Sequence, residues 1–256
     1  MKAYSVKMKK RLKNIACGVL VAAFWLTLWY VCALAVGNPI IFPTPTETVV
    51  RLFELMLTKE FLKFTLASLA RVIAGILFAV PAAFAAAAVC SYSRVADRLF
   101  EPAVLLMRSI PVVSFILIAV FIFERGIIPS AITFIMIFPV LYRNLREGIL
   151  QTPRELLEMA DVFRLSTYLK IKNVYLPAVM PYFYSALTTS VGLGIKAGIA
   201  AEVVAYIPSS IGKKLSDAKS YMEPADLLAW TAVIVILSLL IEKAIRLLIE
   251  RRMKNA

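Results

Sequence analysis

No histidine occurs anywhere in the 256 residues. This removes imidazole from the available chemistry: Ser–His–Asp triads, histidine metal sites and imidazole proton relays are all excluded. Cysteine is scarce too. Cys17, Cys32 and Cys90 are odd in number, lack C-x-x-C spacing and lie in or beside apolar runs. They support neither a disulfide framework nor a zinc site and read as small apolar core residues. There is no G-x-x-x-x-G-K-[ST] loop, so ATP cannot be bound in the P-loop manner; the glycines at 192–198 lie in an apolar run with the wrong spacing. No G-x-S-x-G turn and no paired-carboxylate motif occurs either. Acidic residues are few, 16 Asp+Glu against 29 Lys+Arg, which leaves a net charge of +13.

What is present is apolar. Hydrophobic residues make up 61% of the chain and the mean hydropathy is +0.82, which points into a bilayer. Six apolar runs stand out, at 15–36, 65–89, 104–123, 127–142, 178–201 and 227–249. Most approach the roughly 20 residues a transmembrane helix needs. They are too long for barrel strands and show no apolar/polar alternation. Pro81 and Pro139 fall inside two of them and predict kinks. No linker, low-complexity tract or internal repeat is visible. The predicted fold is all-α: a polytopic membrane protein with six transmembrane helices.

The positive charge is distributed unevenly. With the N-terminus taken as cytoplasmic, 20 of the 29 basic residues fall on the cytoplasmic side and 7 outside, while Arg71 and Lys196 lie within runs. That bias places both termini in the cytoplasm. A nucleic-acid partner is not indicated, because the charges separate apolar runs rather than share a soluble face and no nucleic-acid motif accompanies them. The first run resembles a cleavable signal peptide, with lysines before it and Ala33-Leu34-Ala35 near its end. Its length and its Trp25 and Trp29 favour an uncleaved span. The domain reading is a basic cytoplasmic segment at 1–14, a single membrane domain at 15–249 and a basic cytoplasmic end at 250–256. Outside, the prolines at 39, 43 and 45 precede a helical pattern with Val50, Phe53 and Leu57 on one face, read as an interfacial helix.

The longest inside loop, 151–177, is the most informative segment. Thr152 can cap a helix, Pro153 suits its first position and Glu155 can complete a capping box. Leu156, Leu157, Ala160 and Phe163 then form an apolar stripe, with Arg154, Glu158 and Asp161 on a charged one. Such a helix either lies on the membrane surface or docks in a groove of a partner protein.

Glu158-Met159-Ala160, three residues, Arg164, nine residues, then Val174-Tyr175-Leu176-Pro177 resembles the E-A-A loop of ABC importer permeases, E-A-A-x3-G-x9-I-x-L-P. Glu158, Ala160, Leu176 and Pro177 match, and Val174 nearly does. Met159 replaces an alanine, and Arg164 stands where the family has glycine. A glycine there permits a left-handed turn; arginine either bears roughly 1–2 kcal/mol of strain or the turn has another shape. Other stretches are similar to the branch associated with nitrate, sulfonate and taurine: Phe42-Pro43-Thr44-Pro45 with Glu47, Ser68-Leu69-Ala70-Arg71 with Gly75, Arg108-Ser109-Ile110-Pro111, 196–202 from Lys196 to Glu202, and Ser210-Ile211-Gly212. The resemblance implies a permease subunit without cofactor or enzymatic activity of its own. It implies a separate ATPase subunit docked on a coupling helix in the cytoplasmic loop 151–177, through Glu155, Glu158, Ala160, Asp161, Arg164, Leu176 and Pro177. It also implies an extracytoplasmic solute-binding protein, and a homodimer, because six spans are too few to enclose a path.

Ionisable groups inside spans are costly and face protein or water. Arg71 either snorkels or pairs with a carboxylate, or it lines an anion's route. Lys196 and Glu202 are six residues apart, about 120° around a helix, so they are predicted not to pair. Each either joins a structural ion pair or lines the path. Gly194 and Gly198 allow close helix packing, which could include the dimer seam. Glu242 and Arg246 are spaced as an i,i+4 pair; Trp25, Trp29, Tyr30, Tyr142 and Trp230 read as interface anchors. The other classes, a non-ABC membrane transporter or scaffold and an integral-membrane enzyme, lack the repeats or the converging polar groups they need.

Overall fold

A computed structural model describes the backbone of residues 2–254 and the side chains of residues 16–251. The basic terminal side chains, at 1–14 and at 252–256, lie outside the described residues. The described chain is helical throughout, without a strand: α1 (Lys2–Val36), α2 (Pro45–Met56), α3 (Lys59–Tyr92), α4 (Arg94–Ser109), α5 (Val112–Ile122), α6 (Ile128–Leu150), α7 (Arg154–Val162), α8 (Thr167–Lys170), a π-helical turn (Ile171–Tyr175), α9 (Leu176–Val204), α10 (Ile211–Ser220) and α11 (Pro224–Lys254). The predicted all-α membrane architecture holds.

Among the described residues four helical stretches are long and apolar enough to cross a membrane, and five when α4 and α5 are joined as one broken span. The sixth run lies within α11. The third run is the clearest departure from the sequence reading. It is not one helix: α4 and α5 meet at 105°. Pro111 cannot donate a backbone hydrogen bond and holds Ile110 in an extended conformation (φ −75°, ψ 132°), which ends α4. The 11 residues of α5 cover about 16 Å, half a hydrocarbon core. The fourth run, short in sequence, continues to Leu150 as a 23-residue helix through Pro139, and α3 likewise runs through Pro81.

The core is α6 held between α3 and α9. Gly75, Ala79, Ala83 and Ala87, four residues apart, form a buried ridge of small side chains on α3. This lets Ile137, Leu141 and Tyr142 of α6 approach closely. A Cβ on Gly75 would lie 2.5 Å from the Ser130 carbonyl oxygen. Gly194 and Gly198 serve the same purpose on α9: added Cβ atoms would crowd Ile137 Cγ1 at 2.9 Å and Thr133 Oγ1 at 2.6 Å. This packing is within the chain. By contrast, α1 exposes Val19, Leu20, Phe24, Trp25 and Leu26. Trp29 Nε1 joins it to the next segment by donating to the Pro43 carbonyl (3.1 Å).

Several side chains depart from their predicted places. Tyr142 and Trp230 are core residues rather than interface anchors, and Trp230 stacks on Phe61. Cys90 is buried as predicted, but Cys17 and Cys32 are exposed on α1. Glu242 makes no ion pair with Arg246. It turns instead toward Gly192, where the missing side chain leaves room, and accepts from Ser238 Oγ (3.1 Å).

Candidate functional site: two helix ends and an exposed stripe

Three regions collect the predicted site residues. The first is the end of the bundle that carries α7. Pro153 itself precedes the first turn, in an extended conformation (φ −56°, ψ 130°), and no side chain caps α7. The predicted Thr152–Glu155 capping box is absent, because the buried Thr152 hydroxyl donates back to the Gly148 carbonyl (3.2 Å). Ala160 is fully buried, and Leu157 is half-buried. The remainder of α7 faces outward: Leu156, Met159, Val162 and Phe163 are exposed large apolar side chains, beside exposed Glu155 and Glu158. Asp161 pairs with Lys170 of α8.

Arg164 ends α7 with φ +49°. Its N–H donates to the Asp161 carbonyl and that of Leu165 to Ala160, both at 2.9 Å. This is a Schellman motif with arginine in the left-handed position usually held by glycine. The left-handed turn that a glycine here would permit is therefore present, and Arg164 carries its strain. Leu176 and Pro177 follow the π-helical turn and open α9.

The second region is the opposite end of α9. Glu202 is 1% exposed, and its carboxylate accepts three hydrogen bonds. Oε2 receives Ser68 Oγ (2.6 Å) and the Gly212 N–H (3.2 Å), while Oε1 receives Arg71 Nη1 (3.0 Å). Ser68 Oγ in turn accepts from the Ile211 N–H (2.9 Å), and Ser130 Oγ donates to the Arg71 carbonyl (2.8 Å). The carboxylate thus joins α3 to the N-terminus of α10, where two free amides and the helix dipole favour negative charge. Gly212 permits this approach: a Cβ there would lie 2.6 Å from the Glu202 backbone carbon. Arg71 is the ion-pair partner of this carboxylate, and among the described residues Lys196 makes no ion pair with Glu202. Ser68 and Gly212 were visible in the sequence only as pieces of resemblance; nothing in their spacing showed that they share one carboxylate.

The third region is a face of α9 that this chain leaves uncovered. Pro181, Ser185, Thr189, Leu193 and Lys196 are all exposed and recur every three to four residues. They form one stripe along the helix.

Residues 72–255 match the model of a family described as binding-protein-dependent transport system inner membrane component. The chain belongs to that family. A putative aliphatic sulfonates transport permease of Bacillus subtilis is 25% identical over 240 residues, 93% of this chain and 86% of the relative. A bicarbonate transport system permease of Synechococcus elongatus is 30% identical over 182 residues, 70% of this chain and 65% of the relative. A putative ABC transporter permease of Methanocaldococcus jannaschii is 24% identical over 249 residues, 94% of this chain and 92% of the relative. The family match takes in α7, Glu202 and the α9 stripe, and begins one residue after Arg71. This permease is a multi-pass membrane protein of the ABC transporter type, and its relatives carry the names of permeases rather than enzymes.

Proposed function

We propose that this permease is the membrane-spanning subunit of an ATP-driven importer for a small anionic solute of the sulfonate, taurine or nitrate kind. Six spans at 15–249 form its membrane domain, between basic cytoplasmic ends at 1–14 and 250–256. A separate ATPase subunit binds the α7 end in the cytoplasm. A solute-binding protein delivers the solute at the α2 and α10 end outside. Two copies enclose the path, with lipid against α1.

The observation that carries this reading is α7. It is a nine-residue helix with Leu156, Met159, Val162 and Phe163 exposed beside Glu155 and Glu158. Apolar side chains ringed by charge suit a groove in a soluble partner better than solvent. Beneath them Ala160 is buried, the Schellman turn at Arg164 ends α7, and α7 packs against the π-helical turn that leads into α9. A push on α7 would therefore reach α9 as a rigid-body movement. The named relatives support the solute class, since sulfonate and bicarbonate are both small anions.

The test is purification of the tagged chain in mild detergent. An ATPase subunit is expected to accompany it, Glu158→Lys is expected to weaken that association, and uptake into proteoliposomes is expected to require ATP. A chain that purifies alone and moves solute without ATP would overturn the proposal.

A further inference from the structure

We propose that Lys196 is the anion-contacting residue of the translocation path; this rests on reading the chain as a permease for a small anion. Lys196 lies eight residues before the end of α9 at Val204, about 12 Å below that helix end at 1.5 Å per residue. Helical side chains lean toward the N-terminus, so its stem is directed deeper into the membrane, away from the near end. Snorkelling to the headgroups on that side is disfavoured by this geometry.

An ammonium at that depth needs water or a counter-charge. The chain supplies no counter-charge among its described residues. The carboxylate on the same helix, Glu202, is occupied by Ser68, Arg71 and Gly212. Glu242 on the neighbouring α11 faces inward to Ser238. Lys196 is exposed and takes part in none of the described ion pairs.

The residues in line with Lys196 argue that its surroundings are a path and not lipid. On α1 the exposed face is made of large apolar side chains, Val19, Leu20, Phe24 and Trp25. The α9 stripe instead presents Thr189 and Ser185, about two and three turns below Lys196, with Leu193 between. Hydroxyls at this spacing under an unpaired ammonium make a polar track with a single positive charge toward the Glu202 end. A small oxyanion, sulfonate or carboxylate in class, would be drawn to that charge; the Thr189 hydroxyl, which donates back to the Ser185 and Ala186 carbonyls (both 3.0 Å), lines the route as a polar group without donating to the anion. A cation would be repelled.

The experiment uses the full permease, in membranes with its ATPase partner, with Cys17, Cys32 and Cys90 replaced by alanine. A single reporter cysteine is introduced by Thr189→Cys, or separately by Ser185→Cys in case the first variant folds poorly. The probes are anionic 2-sulfonatoethyl methanethiosulfonate and its cationic trimethylammonioethyl counterpart. Thr189 is seven residues, about 10 Å, from Lys196, where a unit charge changes a local encounter rate by about tenfold at an intermediate dielectric. Lys196→Gln is therefore expected to slow labelling by the anionic probe about tenfold and to speed the cationic one, while Lys196→Arg keeps the wild-type preference. The proposal is overturned if neither reporter reacts with either water-soluble probe, or if Lys196→Gln leaves both rates unchanged. Charge-selective labelling in a chain that fails to retain an ATPase would support Lys196 while removing the importer reading.

Discussion

Arg71 and Glu202, 131 residues apart in the chain, meet at 3.0 Å through Nη1 and Oε1, with the carboxylate buried. The pair does not act alone, since Ser68 and the Gly212 amide complete the carboxylate's hydrogen bonds. Removing one member leaves the other with its desolvation uncompensated, a loss of about 3–5 kcal/mol for buried pairs. Arg71 is partly exposed, so water can recover some of its hydration. Glu202→Ala is therefore expected to lower the thermal stability of the purified permease more than Glu202→Gln, which keeps one acceptor oxygen, for Arg71 or for Ser68 and the Gly212 amide but not for both sides. In a double-mutant cycle Arg71→Ala is expected to cost much less once Glu202 is gone, with a coupling energy of about 1–3 kcal/mol. Additive losses would mean that the contact carries no energy.

Glycine positions separate into rigid and yielding contacts. A Cβ at Gly212 meets the Glu202 and Val203 backbone at 2.6 Å, which cannot give way unless α10 moves. A Cβ at Gly194 meets the end of the Ile137 side chain, which can change rotamer. Gly212→Ala is expected to destabilise by roughly 3 kcal/mol or more, and Gly194→Ala by about 1–2 kcal/mol, the range for an overpacked core. Thermal melts of the two variants in the same detergent decide the order, and equal losses would show that α10 shifts freely.

How much of this was legible in the sequence depended on whether the signal was local. Helix content, the apolar runs, the helix after Pro45 and the family resemblance all rest on residues near one another in sequence; the Thr44–Glu47 capping box that starts that helix is equally local but was not read. The break at Ile110–Pro111 was written in the proline, but an apolar run that continues past it hid the bend. The Thr152 cap failed because the hydroxyl has two partners in reach, and the carbonyl of Gly148 won. Tyr142 and Trp230 read as interface anchors because amphipathic aromatics prefer that depth; tertiary packing overrode the preference. The Ser68–Arg71–Glu202–Gly212 network could not be read, since its four hydrogen-bonding groups come from three helices far apart in the chain, two from α3 and one each from α9 and α10. The α3 ridge of Gly75, Ala79, Ala83 and Ala87 did have a local signal, its four-residue spacing of small residues.

A small titrating cluster sits beside this network. Asp217 accepts from Lys213 Nζ (2.9 Å) and from the Tyr206 hydroxyl (2.8 Å). Burial pushes its carboxyl up, but these two donors outweigh burial and hold it below its ordinary value. Lys213, hydrogen-bonded to Asp217, is held above its ordinary value. For Asp217 the contribution to stability is present above the unfolded carboxylate range, near pH 4, and is lost as pH falls through the lower folded value. For Lys213 it is present below the unfolded ammonium range, near pH 10, and fades as pH rises beyond it. Between those limits the cluster is expected to leave stability flat with pH. Asp217→Asn is expected to lower the melting temperature near neutral pH and to reduce the difference between pH 7 and pH 3. An unchanged difference would assign the acid sensitivity to other carboxylates.

Arg164 bears backbone strain without an ion pair among the described residues to offset it. Its φ of +49° costs an L-residue roughly 1–2 kcal/mol that glycine does not bear. Glycine also makes the unfolded chain more flexible, which takes back part of that gain, about 0.4–1 kcal/mol. Arg164→Gly is thus expected to stabilise the loop by at most about 1.5 kcal/mol, while Arg164→Val, β-branched at a positive φ, is expected to destabilise it by about 2 kcal/mol. Limited proteolysis at 151–177 measures both. The exposed Arg164 side chain lies at the α7 end, where the ATPase is proposed to bind. Arg164→Gly is accordingly expected to weaken ATPase association several-fold even as the loop becomes more resistant to protease. If association is unchanged or tighter, Arg164 only shapes the turn, and docking falls to Leu156, Met159 and Phe163 with Glu155 and Glu158.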